Sequence, residues 1–266
     1  MTRPPALARI LPIALLLLAC GKPSAEGEAE TEIAPLQIAV ASNFVPTMKA
    51  LVEAYTSQST HEVVLSAGST GKHYAQILNG APFDLFFAAD VQRPTLLEEQ
   101  SRAHSRFTYA IGQLVLWTPQ ADVELADQQW LQSDFNHFAI ANPKLAPYGL
   151  AAQQVLQKLG LWQQLEARLV RGENIGQTFQ FVQSGNAELG LVAYAQLLAQ
   201  AKTDGRAQGA SLPGSWWLPA LELYDPIEQQ AVQLSDHVAA ADFLAFVRSV
   251  QGRKIIISYG YGVPDQ

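Results

Sequence analysis

From Leu36 onward, short apolar runs alternate with segments whose apolar residues recur at helical spacing. Leu36-Gln37-Ile38-Ala39-Val40-Ala41 reads as a strand, and Phe44, Met48, Leu51, Val52 and Tyr55 mark one face of the helix after it. Ser42 or Asn43 stands between them as a good helix cap. The same succession returns several times. Glu62-Val63-Val64-Leu65 alternates as a strand does, then passes through Gly68-Ser69-Thr70-Gly71 into a helix marked by Tyr74, Ile77 and Leu78. Phe83 to Ala89 is a third strand, with Asp90 capping a helix through Leu96 and Leu97. Phe138-Ala139-Ile140-Ala141 is a buried strand that leads past Pro147-Tyr148-Gly149 into a helix beginning near Leu150. Leu169-Val170 precedes a helix opened by Glu173-Asn174-Ile175-Gly176-Gln177, and Leu189 to Ala193 precedes a helix through Leu197 and Leu198. Such alternation predicts an α/β chain with a mostly parallel sheet.

Two stretches break the rhythm. Phe107 to Trp117 is long for one strand and reads as a crossover between two lobes, with Gly112 near the bend. Glu222 to Leu234 reads as the return crossover, after which a helix through Phe243, Phe246, Val247 and Val250 closes the first lobe. Trp216 and Trp217 read as core. The expected division is residues 36–113 and 229–266 in lobe 1 and 114–228 in lobe 2, with a cleft between them.

The glycine turn at Gly68-Ser69-Thr70-Gly71 defines the chemistry. A glycine turn feeding a helix leaves backbone N–H groups aimed at one spot, and the helix dipole adds partial positive charge there. That is an anion seat with Thr70, and with it Ser69, as hydroxyl donors; the alternative is an ordinary N-cap. A nucleotide phosphate loop does not fit, because the first glycine position of that motif is Ser66 and the last position is His73. Three further strand-to-helix junctions, at Ser42-Asn43, Tyr148 and Ile175, repeat the device. In α/β sheets ligands bind where strands end and helices begin. Hydroxyls, an amide, a phenol and backbone N–H groups are all neutral donors, which suits a dehydrated small dianion.

Composition narrows this further. The chain has 266 residues, 48% hydrophobic and 15% charged, with a formal charge of −7, which disfavours nucleic acid as a partner. Residues 1–20 read as an export signal, with Arg3 and Arg9 ahead of an apolar run from Ile10 to Ala19 that is too short to span a bilayer. Cys20, the only cysteine, follows Leu17-Leu18-Ala19 and resembles the lipidated cysteine of a bacterial lipobox; the alternative is an ordinary signal removed together with it. Residues 21–35 form an acidic tether with Glu26, Glu28, Glu30 and Glu32 and no apolar period.

Enzymatic signatures are weak. His61, His73, His104, His137 and His237 are scattered without metal-ligand spacing, no Gly-x-Ser-x-Gly elbow occurs, and no thiol remains once Cys20 is lipidated or lost. Asp84 and Asp90 read either as paired carboxylates or, with no nucleophile beside them, as structural groups.

Ala41-Ser42-Asn43-Phe44, Gly68-Ser69-Thr70-Gly71, the run from Asn79 to Asp90 and Ala146-Pro147-Tyr148-Gly149 together resemble the periplasmic molybdate-binding proteins of ABC transporters, from about Leu36 to Val263. The resemblance implies a type II periplasmic-binding-protein fold: two α/β lobes joined by two crossover strands, with a ligand cleft between them. It implies capture of molybdate or tungstate and delivery to an inner-membrane permease. No cofactor and no direct metal ligand are implied, since molybdenum is held as its oxyanion. The ligand positions fall on Asn43 with Ser42 beside it, on Thr70, and on the backbone donors of Tyr148 and Ile175. Many members carry a tyrosine where this chain has Ala193; Tyr194 is one residue late and is not carried over, so the phenol is assigned to Tyr148. The expected product is a monomeric, lipid-anchored receptor on the periplasmic side. The alternatives are a receptor for sulfate, phosphate or an organic anion, an enzyme on the same fold, or a sensory domain.

Overall fold

A computed structural model describes residues 34–126, 130–131, 135–206 and 212–264. The export signal, Cys20 and nearly all of the acidic tether lie outside the described residues. The elements run β1 (Leu36–Ala41), a 3-10 turn (Ser42–Phe44), α1 (Val45–Thr56), β2 (Val63–Gly68), α2 (Thr70–Leu78), β3 (Leu85–Phe87), α3 (Gln92–Glu99) and β4 (His104–Gly112). They continue with β5 (Leu114–Thr118), β6 (Phe138–Ala141), α4 (Pro147–Lys158), α5 (Trp162–Leu165), β7 (Leu169–Gly172), α6 (Ile175–Gln183), β8 (Leu189–Ala193) and α7 (Tyr194–Thr203). β9 (Ser215–Trp217), β10 (Ile227–Gln233), α8 (Ala240–Arg248) and α9 (Val250–Ser258) complete the series.

The strands form two five-stranded sheets, ordered β2-β1-β3-β10-β4 and β7-β6-β8-β5-β9. β4 ends at Gly112 in the first sheet and β5 begins at Leu114 in the second, so the chain crosses between sheets within a residue or two. It returns along β10, whose Ile227 pairs with Gly112. The sheets are mixed, which corrects the expectation of a mostly parallel sheet. β2-β1-β3 and β7-β6-β8 are parallel, and the crossover strands join antiparallel. Parallel pairing is thus confined to the strands whose C-terminal ends carry the predicted junctions.

Alternation along β1 explains why it is buried on both faces. Ile38 and Val40 pack with Phe44, Met48, Leu51, Phe87 and Phe243, whereas Ala39 faces Ile77, Phe86, Leu97 and Val232. The second sheet is sandwiched in the same way. Phe138 and Ile140 meet Tyr148, Ala152 and Val155 on one side, and Val115, Trp117 and Ala139 meet Phe179, Val182 and Leu197 on the other.

Several boundaries differ from the sequence reading. α4 begins at Pro147, not near Leu150, because proline at the first helical position lacks only an N–H that would have no helical partner anyway. The last helix is two helices, since Ser249 ends α8 and caps α9 by accepting from Gly252 N at 3.1 Å. Trp216 points outward from β9 while Trp217 packs inward, as strand alternation requires, so only one of the pair belongs to the core. Neither Ser42 nor Asn43 caps α1 with its side chain. Asp84 accepts from Gln37 N and the Ser235 hydroxyl, and Asp90 accepts from Arg93 N and its guanidinium; both carboxylates are structural.

His73 lies on α2, 2% exposed, directly beneath Gly68, where an added Cβ would stand 2.8 Å from Nε2. Its Nδ1 meets Gln76 Oε1 at 3.0 Å and its Nε2 has no partner. Burial therefore holds its pKa below the ordinary 6.5. The unfolded chain takes up that proton first, so stability is complete above about pH 6.5 and is lost as pH falls toward the lowered folded value. The melting temperature is expected to fall more steeply between about pH 6.5 and pH 5 in the parent protein than in His73→Leu; equal slopes would remove His73 from the account.

Candidate functional site

The C-terminal ends of the parallel strands in both sheets face one another across the cleft. There they line one small pocket. Ser42 and Asn43 reach it from the end of β1, Ser69 and Thr70 from the end of β2, Pro147 and Tyr148 from the start of α4, and Asn174 and Ile175 from the start of α6. All five predicted residues, Ser42, Asn43, Thr70, Tyr148 and Ile175, line this one pocket. No Lys, Arg, His, Asp or Glu is among the residues lining it. Among the described residues no group of His, Cys, Asp and Glu is arranged to hold a metal ion.

The donors follow from helix geometry. Thr70 and Ile175 are the first residues of α2 and α6, and Tyr148 follows Pro147 at the start of α4. N–H groups at these positions have no acceptor within their own helix, and the helix dipole reinforces them. Side chains occupy the competing roles. Ser69 caps α2 by accepting from Lys72 N, and Asn174 caps α6 by accepting from Gln177 N at 2.9 Å. Ser69 is therefore the N-cap of α2, and both Ser69 and Thr70 line the pocket. Thr70 Oγ1 accepts from Ala89 N at 3.0 Å, and Ser42 Oγ accepts from Gly176 N at 3.1 Å. Each hydroxyl is thereby oriented by a fixed N–H and retains its own proton to donate. Gln196 Nε2 donates to Ile175 O at 3.3 Å and so steadies the peptide at the head of α6.

Two expected donors are turned elsewhere. The phenol of Tyr148 lies in the hinge, where its oxygen accepts from Gln229 Nε2 at 3.4 Å and a Cβ at Gly112 would come within 2.1 Å of it. Glycine at position 112 is required for that reason. This corrects the assignment of the phenol to the anion; Tyr148 faces the pocket from the head of α4. Asn43 Nδ2 donates to Gln229 Oε1 at 2.7 Å and to the Tyr261 hydroxyl at 3.1 Å, also in the hinge. Tyr194 is absent from the pocket lining, and its ring sits against Gly260. Burial raises the pKa values of Tyr109, Tyr148 and Tyr261, so all three phenols stay protonated.

Gln229 and Tyr261 were missed by the sequence reading. Gln229 sits at an inward position of β10, and Tyr261 lies in a tail whose Gly262 bridges to Ile111. β10 also carries Glu228, Gln230 and Gln233, so nothing in the local pattern singles out Gln229.

The lobes are closed on each other by a few polar contacts. Gly71 N donates to Leu145 O at 2.9 Å, Arg93 Nη2 donates to Lys144 O at 3.3 Å, and Lys72 pairs with Glu173 at the cleft surface. The Lys72–Glu173 pair is exposed and is worth at most about 1 kcal/mol.

Two α/β sheets facing across such a pocket, joined by a pair of crossover segments, define the architecture of a two-lobed solute-binding protein. Residues 36–262 match the family described as bacterial extracellular solute-binding protein, and the chain belongs to that family. The molybdate-binding protein ModA of Azotobacter vinelandii is 43% identical over 255 residues, which cover 93% of this chain and 94% of the relative. That of Rhodobacter capsulatus is 40% identical over 253 residues, covering 92% of each. The solved structure of the Azotobacter vinelandii periplasmic molybdate-binding protein superposes with a TM-score of 0.80 at 39% identity, covering 86% of this chain and all of that one. The fold expected from the resemblance is thus found, and these relatives are binding proteins, not enzymes.

Two substitutions test the geometry. Thr70→Val keeps the shape and removes the hydroxyl, and it is expected to weaken binding of a small oxyanion roughly tenfold or more by calorimetry, with Thr70→Ser near the parent. In Gly71→Ala the new Cβ stands 3.0 Å from Leu145 O across the cleft. It is expected to leave the ligand-free melting temperature nearly unchanged and to lower oxyanion affinity, because only the closed state feels the wedge. Parent-like affinity in both would refute this placement of the cleft.

Proposed function

We propose that this protein captures molybdate, or its chemical twin tungstate, outside the cytoplasm and delivers it to an ABC transporter. The observation that carries the reading is the pocket itself: neutral donors from both sheets converge on one small space lined by no charged side chain. The relatives named molybdate-binding, at 43% and 40% identity over nearly the whole chain, select the anion. In the proposed site Ser42 and Thr70 donate their hydroxyl protons, while Asn43, Tyr148 and Ile175 contribute backbone N–H groups. A fully deprotonated tetrahedral dianion accepts at all four oxygens and needs no acceptor from the protein. Phosphate keeps a proton near neutral pH and finds no carboxylate to receive it.

Capture and release follow from the lobes. The proposed lobes are residues 36–113 with 229–266, and 114–228. In the open state half of the donors face water; closure brings the second half and dehydrates the anion between them. We further propose that Cys20 is lipidated, that residues 21–35 act as a tether, and that the receptor works as a monomer beside its permease.

A thermal-shift series with molybdate, tungstate, sulfate and phosphate tests this. A ligand at about a hundred times its Kd stabilises the folded state by about 2.7 kcal/mol, which is several degrees for a chain of this size. Molybdate and tungstate are expected to produce that shift at concentrations far below those needed for sulfate or phosphate. Stabilisation by sulfate or phosphate alone would overturn the assignment.

A further inference from the structure

The heads of α2 and α6 stand across the cleft from each other, and they allot their free N–H groups alike. An α-helix leaves the N–H groups of its first turn without acceptors of its own, so each needs a partner elsewhere. α2 begins at Thr70 and α6 at Ile175. In both, the third N–H returns to the helix's own cap: Lys72 N donates to Ser69 Oγ at 3.3 Å, and Gln177 N donates to Asn174 Oδ1 at 2.9 Å. The fourth begins the backbone ladder, His73 N donating to Ser69 O and Thr178 N to Asn174 O, both at 3.1 Å. The first belongs to Thr70 and Ile175, which line the pocket. The second crosses the cleft. Gly71 N donates to Leu145 O at 2.9 Å, and Gly176 N donates to Ser42 Oγ at 3.1 Å.

The two crossings are reciprocal. One runs from α2, beside the first sheet, to Leu145 in the turn before α4; the other runs from α6, beside the second sheet, to Ser42 at the end of β1. The four junctions around the pocket are thereby tied in two pairs, each with one member on either side. Both donors are glycine, although alanine is the better helix former. Close approach explains the choice. A Cβ at Gly71 would stand 3.0 Å from Leu145 O, and one at Gly176 would stand 3.2 Å from Ser42 Cβ, each on the opposite side of the cleft. Neither glycine has the positive φ that would by itself require one.

We infer that Gly71 and Gly176 form a paired latch: the second N–H of each helix head bonds across the cleft when the lobes close, while the first N–H of the same head meets the anion. Recognition and closure then sit on adjacent peptides of one rigid turn, so an anion that fixes the first N–H also aims the second. When the lobes part, both latch N–H groups lose their acceptors and turn to water. Ser42 stands in both roles, accepting the latch bond and offering its proton to the ligand. The inference rests on the proposed oxyanion function and adds the step that retains the ligand. Gly71 and Gly176 are positioning residues that hold the closed state.

Residue-resolved amide hydrogen exchange, read by NMR without ligand and with saturating molybdate, tests the latch. The Gly71 and Gly176 amides are expected to slow at least about tenfold more than those of Lys72 and Gln177, whose acceptors lie in their own lobes in either state. Equal slowing of all four, which general stabilisation gives, would overturn the inference. So would full protection of Gly71 and Gly176 before any ligand is added.

The variant Gly71→Ala asks whether the two bonds act together. It is the cleaner wedge, because a Cβ at Gly176 also meets its own cap at Asn174 Oδ1, 3.1 Å away. By stopped flow its molybdate koff is expected to rise roughly tenfold, with kon within about twofold of the parent, since the wedge is felt only after encounter. With molybdate bound, its Gly176 amide is expected to lose most of the extra protection, although that residue lies across the cleft. A Gly176 amide as protected as in the parent means two separate contacts and sinks the pairing; a parent-like koff sinks the latch. Should Gly71→Ala not fold, the exchange rates of the parent decide alone. Molybdate binding without slowed exchange at Gly71 and Gly176 removes the latch and leaves the functional reading standing. A melting temperature unmoved by molybdate removes the functional reading, and the exchange comparison is then made with whichever of tungstate, sulfate and phosphate does move it.

Discussion

Removing a small dianion from water without a countercharge is the constraint that organises this structure. An unpaired charge buried in protein costs many kcal/mol, and only several hydrogen-bond donors aimed together offset it. Backbone N–H groups at helix starts are available for this purpose because the helix itself leaves them unpaired. The need for several such starts at one point explains the pairing of two sheets, since no single sheet edge offers enough junctions. It also explains the small residues around the pocket. Ala41, Ala89 and Ala146 line it, and Gly71 and Gly176 let the two sides approach with bare backbone.

The hinge solves a second problem, holding the halves in register without a charge of its own. Tyr109, Tyr148, Tyr261, Asn43 and Gln229 form a buried group of phenols and amides, fixed by hydrogen bonds and by the ring contacts of Phe44 with Phe87, Tyr109 and Tyr261. A carboxylate or ammonium at this place would act on the anion through a low-dielectric interior. Neutral groups give direction without a field.

Much of this was legible in the chain. The strands at Leu36–Ala41, Phe138–Ala141 and Leu189–Ala193 have the bounds their apolar runs suggest, and the four junctions meet at one pocket. What was not legible depends on partners distant in sequence. The direction of the Tyr148 phenol is set by the space over Gly112 and by Gln229, neither of which the local pattern of α4 reveals. Ser42 and Asn43 look like caps, yet their side chains are taken by Gly176 in one case and by Gln229 and Tyr261 in the other. The break at Ser249 was hidden because apolar spacing continues across it. Pro147 was read as part of a turn, although it is well suited to begin a helix.

The choice of phenols and amides for the hinge has a consequence for where the protein works. Space outside the cytoplasm takes on the acidity of the surrounding medium. Burial keeps the three hinge phenols from ionising until conditions far more alkaline than their usual range, and amides do not titrate at all. The pivot therefore carries the same protons whether the medium outside is acid or mildly alkaline.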